Sequence, residues 1–310
     1  MKLFDLHCDT PYELAHKNAH LTKNDLHIAL DKTASYSAYI QSAAVWSDCR
    51  LSDEDAWEEY LRISEHFAQE IAHCPNAFIG RTADDVRRAL NTGERCFIPA
   101  VEDARILAGD LTRLSILQKN GVRFLTLTWA GESCIGGSHD TDKPLTDFGR
   151  SVVEHCFELH IIPDVSHASR AVTAEALQMA KAHGKPVIAT HANAFTVHPH
   201  TRNLTDGEFR AIADCGGIVG ISLCPEHLTA GSCGIGSVAD HIRHYIRLGG
   251  EDAVCLGCDF DGIGETPEGL FDVSCLIRLA DHLSTAGIPS RMIDKLFFDN
   301  AYGFATGNFQ

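Results

Sequence analysis

The 310-residue sequence has no apolar run approaching the roughly eighteen residues that a membrane-spanning helix needs, so no membrane association through such a helix is expected. It begins without the basic stretch and apolar core of a secretory leader. Met1-Lys2-Leu3-Phe4-Asp5-Leu6-His7 enters a strand-like pattern directly, and the expected location is the cytoplasm. Positive charge is scarce: 26 lysines and arginines face 42 aspartates and glutamates, and a formal charge of -16 repels phosphate backbones and argues against nucleic acid as a partner. No GxGxxG or GxxxxGK[ST] follows any strand-like run, which removes the usual nucleotide-binding loops. One CxxC occurs, Cys255 to Cys258, in an apolar run with no second pair to complete a zinc site. The 12 cysteines are scattered along a chain long enough for a full core, so reduced and mostly buried thiols are expected.

What is present is an ordinary globular composition, 45% hydrophobic and 22% charged. Short β-branched or apolar runs recur at Leu3 to His7, Ser42 to Trp46, Cys96 to Val101, Val122 to Thr128, His160 to Val165, Pro186 to Thr190, Gly217 to Ser222 and Ala253 to Gly257. Amphipathic segments lie between them, at Asp55 to His73, Ala104 to Lys119, Thr146 to Leu159, Thr173 to His183, Thr205 to Asp214 and Ser237 to Leu248, with further helices from Leu270 and Ser290. Strand followed by helix, repeated to eight strands, predicts an α/β fold of the closed (β/α)8 TIM-barrel type; a doubly wound open sheet is the rival. No repeat, low-complexity run or long linker divides the chain, so residues 1–310 are expected to form a single catalytic domain.

In such a barrel the active site stands at the C-terminal ends of the strands, and here those ends carry metal-ligand side chains. His7 and Asp9 close the first strand and, two residues apart, point to one face. Glu102 ends the third, Asp164 to His167 the fifth, His191 the sixth and Asp259 the eighth. Each alone has an ordinary explanation, since a histidine on a loop is usually just hydrogen-bonded and a glutamate there usually solvated. Carboxylates and imidazoles converging on one mouth would repel one another or go unsatisfied without cations, and the surplus of ligands favours two divalent ions over one. Imidazole with carboxylate suits zinc first.

Taken together, the motifs Asp5-Leu6-His7-Cys8-Asp9-Thr10-Pro11, Asp164-Val165-Ser166-His167-Ala168-Ser169, Thr190-His191-Ala192-Asn193-Ala194, Arg202-Asn203 and Gly257-Cys258-Asp259-Phe260-Asp261-Gly262 resemble the membrane (renal) dipeptidase family of metallopeptidases, within the amidohydrolase superfamily. The likeness spans essentially the whole chain. An HxD on the first strand, instead of HxH, supports this branch over the deaminases and phosphotriesterases. The resemblance implies two Zn2+ per chain, with His7 and Asp9 on one, His167 and His191 on the other and Glu102 bridging. It makes Asp259 the acid/base beside a bridging water or hydroxide, Arg202 the residue that receives the substrate's terminal carboxylate, and Asn203 and Trp129 further substrate contacts. It also implies a dipeptide substrate and, by analogy with family members, a homodimer.

Asp261, two positions on, competes with Asp259 for the acid/base role. One departure from the family pattern concerns the fourth strand, whose run typically ends threonine-leucine-threonine-histidine. Here it is Thr126-Leu127-Thr128-Trp129, and an indole donates one hydrogen bond but accepts no proton. His139, in the loop that follows, either folds back to supply the imidazole or is a surface histidine. Three functions stay open: a dipeptidase, an amidohydrolase of a non-peptide amide or modified dipeptide, and a catalytically silent scaffold, against which the full ligand set argues.

Overall fold

The computed structural model describes residues 1–310, and its strands are β1 (Lys2–Asp5), β2 (Ala38–Trp46), β3 (Ala77–Ile79), β4 (Arg95–Glu102), β5 (Phe124–Thr126), β6 (Ile162–Asp164), β7 (Val219–Ile221) and β8 (Val254–Leu256). All pairings between them are parallel, in the order β6-β5-β4-β2-β1-β8-β7. The ring closes through the sixth expected run. That run is not a regular strand: it holds β6 by the bridge Asp164 to Ile188 and β7 by the bridge Ala189 to Val219. A Cβ on Gly220 would lie 1.9 Å, and one on Gly257 1.7 Å, from the Thr190 carbonyl oxygen. The backbone of this stave is therefore drawn against both glycines, which breaks its ladder and explains why side-chain bulk is absent there.

With that stave counted, the eight apolar runs read from the sequence are the eight staves of a (β/α)8 barrel, and the open-sheet rival is excluded. β3 was not expected. It pairs with the first part of β4, from Ala77 opposite Arg95 to Ile79 opposite Phe97, while β5 occupies the same edge further along, from Phe124 opposite Ala100. It is an addition below the ring and not a stave.

Helices follow the amphipathic segments: Asp53–Ala72, Asp147–Leu159, Arg170–His183, Asp206–Asp214 and Ile235–Arg247. Thr205 and Glu208 form a capping box at the start of Asp206–Asp214, two otherwise orphaned donors being satisfied reciprocally. The helix expected over Ala104 to Lys119 is broken into a 3-10 turn, Ala104–Leu107, and a helix, Thr112–Lys119. The break falls where Ala108 and Gly109 take the left-handed conformation, φ 51° and 78°. Helices Thr10–Lys17 and Ala83–Thr92 were not foreseen. No helix is long and apolar enough to cross a membrane.

The C-terminal helix Asn300–Asn308 seals the end of the barrel where the strands begin. Phe304 and Phe309 join Phe4 and Phe124 in one buried cluster, and Lys2 pairs with Asp299 at 3.0 Å. Each such phenylalanine contributes about 1.5–3 kcal/mol by burial. The opposite end stays open, and there the polar side chains collect.

Candidate active site

Glu102 is the last residue of β4 and only 3% exposed. Its two oxygens face two different groups. Oε1 lies 3.0 Å from His167 Nε2 and 3.3 Å from His191 Nε2, whereas Oε2 lies 3.7 Å from His7 Nε2. His7 Nε2 is in turn 3.3 Å from Asp9 Oδ2 and 3.9 Å from Asp259 Oδ1. The structure thus brings together every residue expected to hold a metal, in the overlapping groups His7-Asp9-Glu102, Glu102-His167-His191 and His7-His191-Asp259.

The donor set is short of partners. His7 Nε2 and Asp9 Oδ1 are buried and make no hydrogen bond. His167 Nε2 and His191 Nε2 stand 2.8 Å apart, nitrogen facing nitrogen. Orphaned buried polar atoms are costly, and cations shared among these ligands would satisfy them. The residues present therefore fit a divalent metal site.

A layer of hydrogen bonds beneath the ligands fixes them. Asp164, at the end of β6, accepts from Ser166 N at 2.9 Å and Thr190 N at 3.0 Å through Oδ1, and from Thr126 Oγ1 at 2.7 Å and Thr190 Oγ1 at 2.6 Å through Oδ2. One carboxylate so ties β5, β6 and the sixth stave. Because Thr190 gives its single hydroxyl proton to Asp164, it accepts from His191 Nδ1 at 2.9 Å. That assignment leaves the His191 Nε2 lone pair free toward Glu102, the form a metal ligand requires. Asp5 does the same work across the ring, accepting from His7 N at 3.3 Å and Cys258 N at 2.8 Å.

The electrostatics follow from burial and neighbours. Burial, reinforced by the Arg202 charge, pushes His167 down to about 3, and burial beside His7 holds His191 well below the usual imidazole range. Burial alone would also lower His7, but Glu102 and Asp9 outweigh it and hold it above. Glu102 resists the upward push of burial, because His7, His167 and His191 surround it, and stays well below the usual carboxylate range. Burial and then Glu102 raise Asp9. Asp259 is pushed up to about 7, by burial first and by Glu102, against the opposing pull of His7 and Arg202.

Above the ligands lies a cavity of about 500 Å3, lined among others by Tyr12, Trp46, Trp129, His139, Arg202, Cys224, His227 and Asp259. Arg202 is 5% exposed. Its Nη2 donates to the His191 carbonyl at 3.3 Å, and its Nε is buried with no partner. Trp129 stands 6.0 Å from the His167 ring and packs edge-on to Trp46, centroids 5.0 Å apart, with Tyr12 continuing the row at 4.9 Å. His139 faces this cavity: its backbone N donates to the His167 carbonyl at 2.7 Å, and its Nδ1 meets Thr201 Oγ1 at 2.9 Å. Asn203 does not line the cavity. Its amide donates to the carbonyls of His198 at 2.8 Å and His227 at 2.7 Å, tying two loops together.

Asp261 does line the cavity, but its carboxylate is engaged, 2.6 Å from Thr10 Oγ1, and it belongs to none of the three ligand groups. Sequence reading passed over His200 and His227, whose rings are 4.8 Å apart beside Arg202. The HxH of His198 and His200 was the available signal, but it ends no strand.

The profile of one family, membrane dipeptidase (peptidase family M19), matches residues 1–303. A Klebsiella pneumoniae protein described as an uncharacterized protein in the pqqA 5' region is 32% identical over 232 residues, 71% of this chain and 84% of that one. A metallopeptidase from Rhodobacter sphaeroides, solved with a phosphinate mimic of the dipeptide L-Ala-D-Ala, superposes with a TM-score of 0.91 at 25% identity, over 100% of this chain and 99% of that one. The probable dipeptidase PvdM from Pseudomonas aeruginosa shares the fold, with a TM-score of 0.90 at 19% identity over 100% of this chain and 96% of that one. A ligand-rich barrel mouth of this construction, under a family match that runs nearly from end to end, makes the chain a member of the membrane dipeptidase family and a metallo-dipeptidase-like hydrolase.

Proposed function

We propose that the protein is a dinuclear zinc dipeptidase that cleaves dipeptides bearing a free C-terminal carboxylate. The observation that carries this reading is the division of Glu102, one oxygen toward His167 and His191 and the other toward His7, in the same cavity as a buried, incompletely partnered Arg202. His7 and Asp9 would hold one ion, His167 and His191 the other, with Glu102 common to both. The chemistry such ions supply when bound is polarisation of a carbonyl and a lowered pKa of water.

The chain's own residues do the rest. Asp259 takes the proton that the attacking water gives up as the new carbon–oxygen bond forms, then returns it to the leaving nitrogen as the amide bond breaks. Arg202 offers a planar fork to the terminal carboxylate and so sets the length of substrate that fits. His139, His200 and His227, all lowered first by burial and further by Arg202, stay neutral and leave the guanidinium as the cation of that wall. Asn203 supports the loop that presents Arg202. Trp129 shapes the substrate range beside His167 and favours a second reading, hydrolysis of a modified dipeptide or non-peptide amide.

Elemental analysis of the protein purified without chelator should find about two divalent ions per chain. A panel of free dipeptides, amidated dipeptides, tripeptides and N-acyl amides should show turnover concentrated in the first class. One ion or fewer after zinc reconstitution would remove the dinuclear reading, and preference for N-acyl amides would favour the second.

Arg202→Met should weaken kcat/KM on free dipeptides by about 2 kcal/mol or more, roughly thirtyfold, and barely change it on a C-terminally amidated analogue. Equal losses on both would mean that Arg202 supports its loop and does not read the carboxylate.

A further inference from the structure

One buried acid at the barrel mouth has no part in the chemistry proposed above. The Asp261 side chain is 2% exposed and its two oxygens are both spoken for, Oδ2 accepting from Thr10 Oγ1 at 2.6 Å and Oδ1 from His27 N at 2.6 Å. Its own backbone N donates to His27 Nδ1 at 2.9 Å. Three segments far apart in sequence meet on this single carboxylate: the turn after β1, the loop around His27 and the turn after β8.

We infer that Asp261 is a positioning residue, a clamp that sets the separation of the Asp9 and Asp259 carboxylates; the inference rests on the metal and acid/base roles proposed for those two. The turn it anchors is zipped to the β1 end, with Asp259 N donating to the His7 carbonyl at 3.2 Å and Asp9 N to the Phe260 carbonyl at 2.9 Å. Thr10, the residue it grips, follows Asp9 directly. Within the same turn Gly262 lies against both carboxylates: a Cβ there would come 2.2 Å from Asp9 Oδ2 and 2.6 Å from Asp259 Oδ1. Any slip of the turn is therefore felt at both acids.

The turn also needs holding. Asp259 and Asp261 adopt left-handed conformations, φ 63° and 68°, which cost most residues with a Cβ and aspartate or asparagine less. Two hydrogen bonds to the carboxylate, from Thr10 and from the His27 backbone, oppose that tendency. His27 contributes from the other side, since its Nδ1 can accept only with the ring proton on Nε2.

The clamp makes a prediction that a reacting carboxylate does not. Asparagine can rebuild it, its carbonyl accepting from His27 N and its amide donating to a Thr10 hydroxyl that turns from donor to acceptor; alanine cannot. With zinc-loaded full-length protein, Asp261→Ala should lose zinc to a competing chelator about 10–100-fold more readily and drop kcat by a similar factor, with KM nearly unchanged. Asp261→Asn should recover most of both. Thr10→Val, which removes one arm only, should fall between, and melting temperatures would separate a misfolded variant from a misplaced ligand. Wild-type zinc retention in Asp261→Ala, or an Asp261→Asn as impaired as the alanine, would overturn the clamp. If the wild type cleaves no dipeptide, the proposed function fails, while the order of zinc retention among the three variants still tests the inference.

Discussion

Asp259→Asn should retain its metals and its fold and lose roughly 10²–10⁴-fold in kcat, the range expected when a proton-transferring side chain is removed. The substitution is nearly isosteric, and asparagine tolerates the left-handed backbone that position 259 adopts, so the turn after β8 is preserved. What disappears is a carboxylate that faces His7 Nε2 at 3.9 Å and opens on the cavity. An amide there can neither take the proton of the attacking water nor hand one to the leaving nitrogen. Elemental analysis alongside steady-state kinetics separates this from loss of a ligand. Near-normal turnover in Asp259→Asn, with Asp261→Asn inactive, would exchange the roles assigned to the two aspartates.

Glu102→Gln should have the broader effect. Glu102 alone presents an oxygen to both ligand groups, and its glutamine counterpart offers one oxygen and one donor. Whichever way the amide turns, one side meets N–H where it needs an acceptor, so the metal content should fall to about one ion per chain or below. Metal ions supply several kcal/mol of transition-state stabilisation in hydrolysis of this type, and at 1.36 kcal/mol per tenfold the turnover should drop by at least about 10³. Retention of both ions by Glu102→Gln, measured after gel filtration without added zinc, would show that Glu102 is not shared.

The ring of staves and the cluster of candidate ligands at its mouth were legible for the same reason. In a parallel barrel the apolar runs are buried on both faces and their last residues stand at the active mouth, so His7, Glu102, His167, His191 and Asp259 are marked by position as much as by chemistry. β3 was illegible because its three residues, Ala77–Ile79, carry too little pattern to separate from the end of the preceding helix. The helix expected over Ala104 to Lys119 failed at Gly109, a signal present in the sequence and outweighed by the surrounding periodicity. His139 and His200 reach the cavity on loops and His227 on the single turn of helix Pro225–Leu228, where no periodicity says which way a side chain turns. Asp261 invited a catalytic reading because spacing put it on the same strand face as Asp259. The left-handed residues of that turn remove the alternation on which the spacing argument depends.

The inward pull of the sixth stave has a dynamic side. Local opening of a protein starts where few backbone hydrogen bonds must break together, and the shortest ladders of the wall include the sixth stave, with one bridge on each flank at Ile188 and Ala189 and the Asp164 carboxylate holding Thr190 beside them. His167 leads out of one neighbouring segment and His191 out of the stave itself, so an ion held by the two, as proposed, would span the seam and close it as a clasp. Breathing of the wall and occupancy of the site would then be one equilibrium. The apo barrel would exchange its amide protons along this line first, and loading the site would slow the exchange there more than anywhere else in the ring.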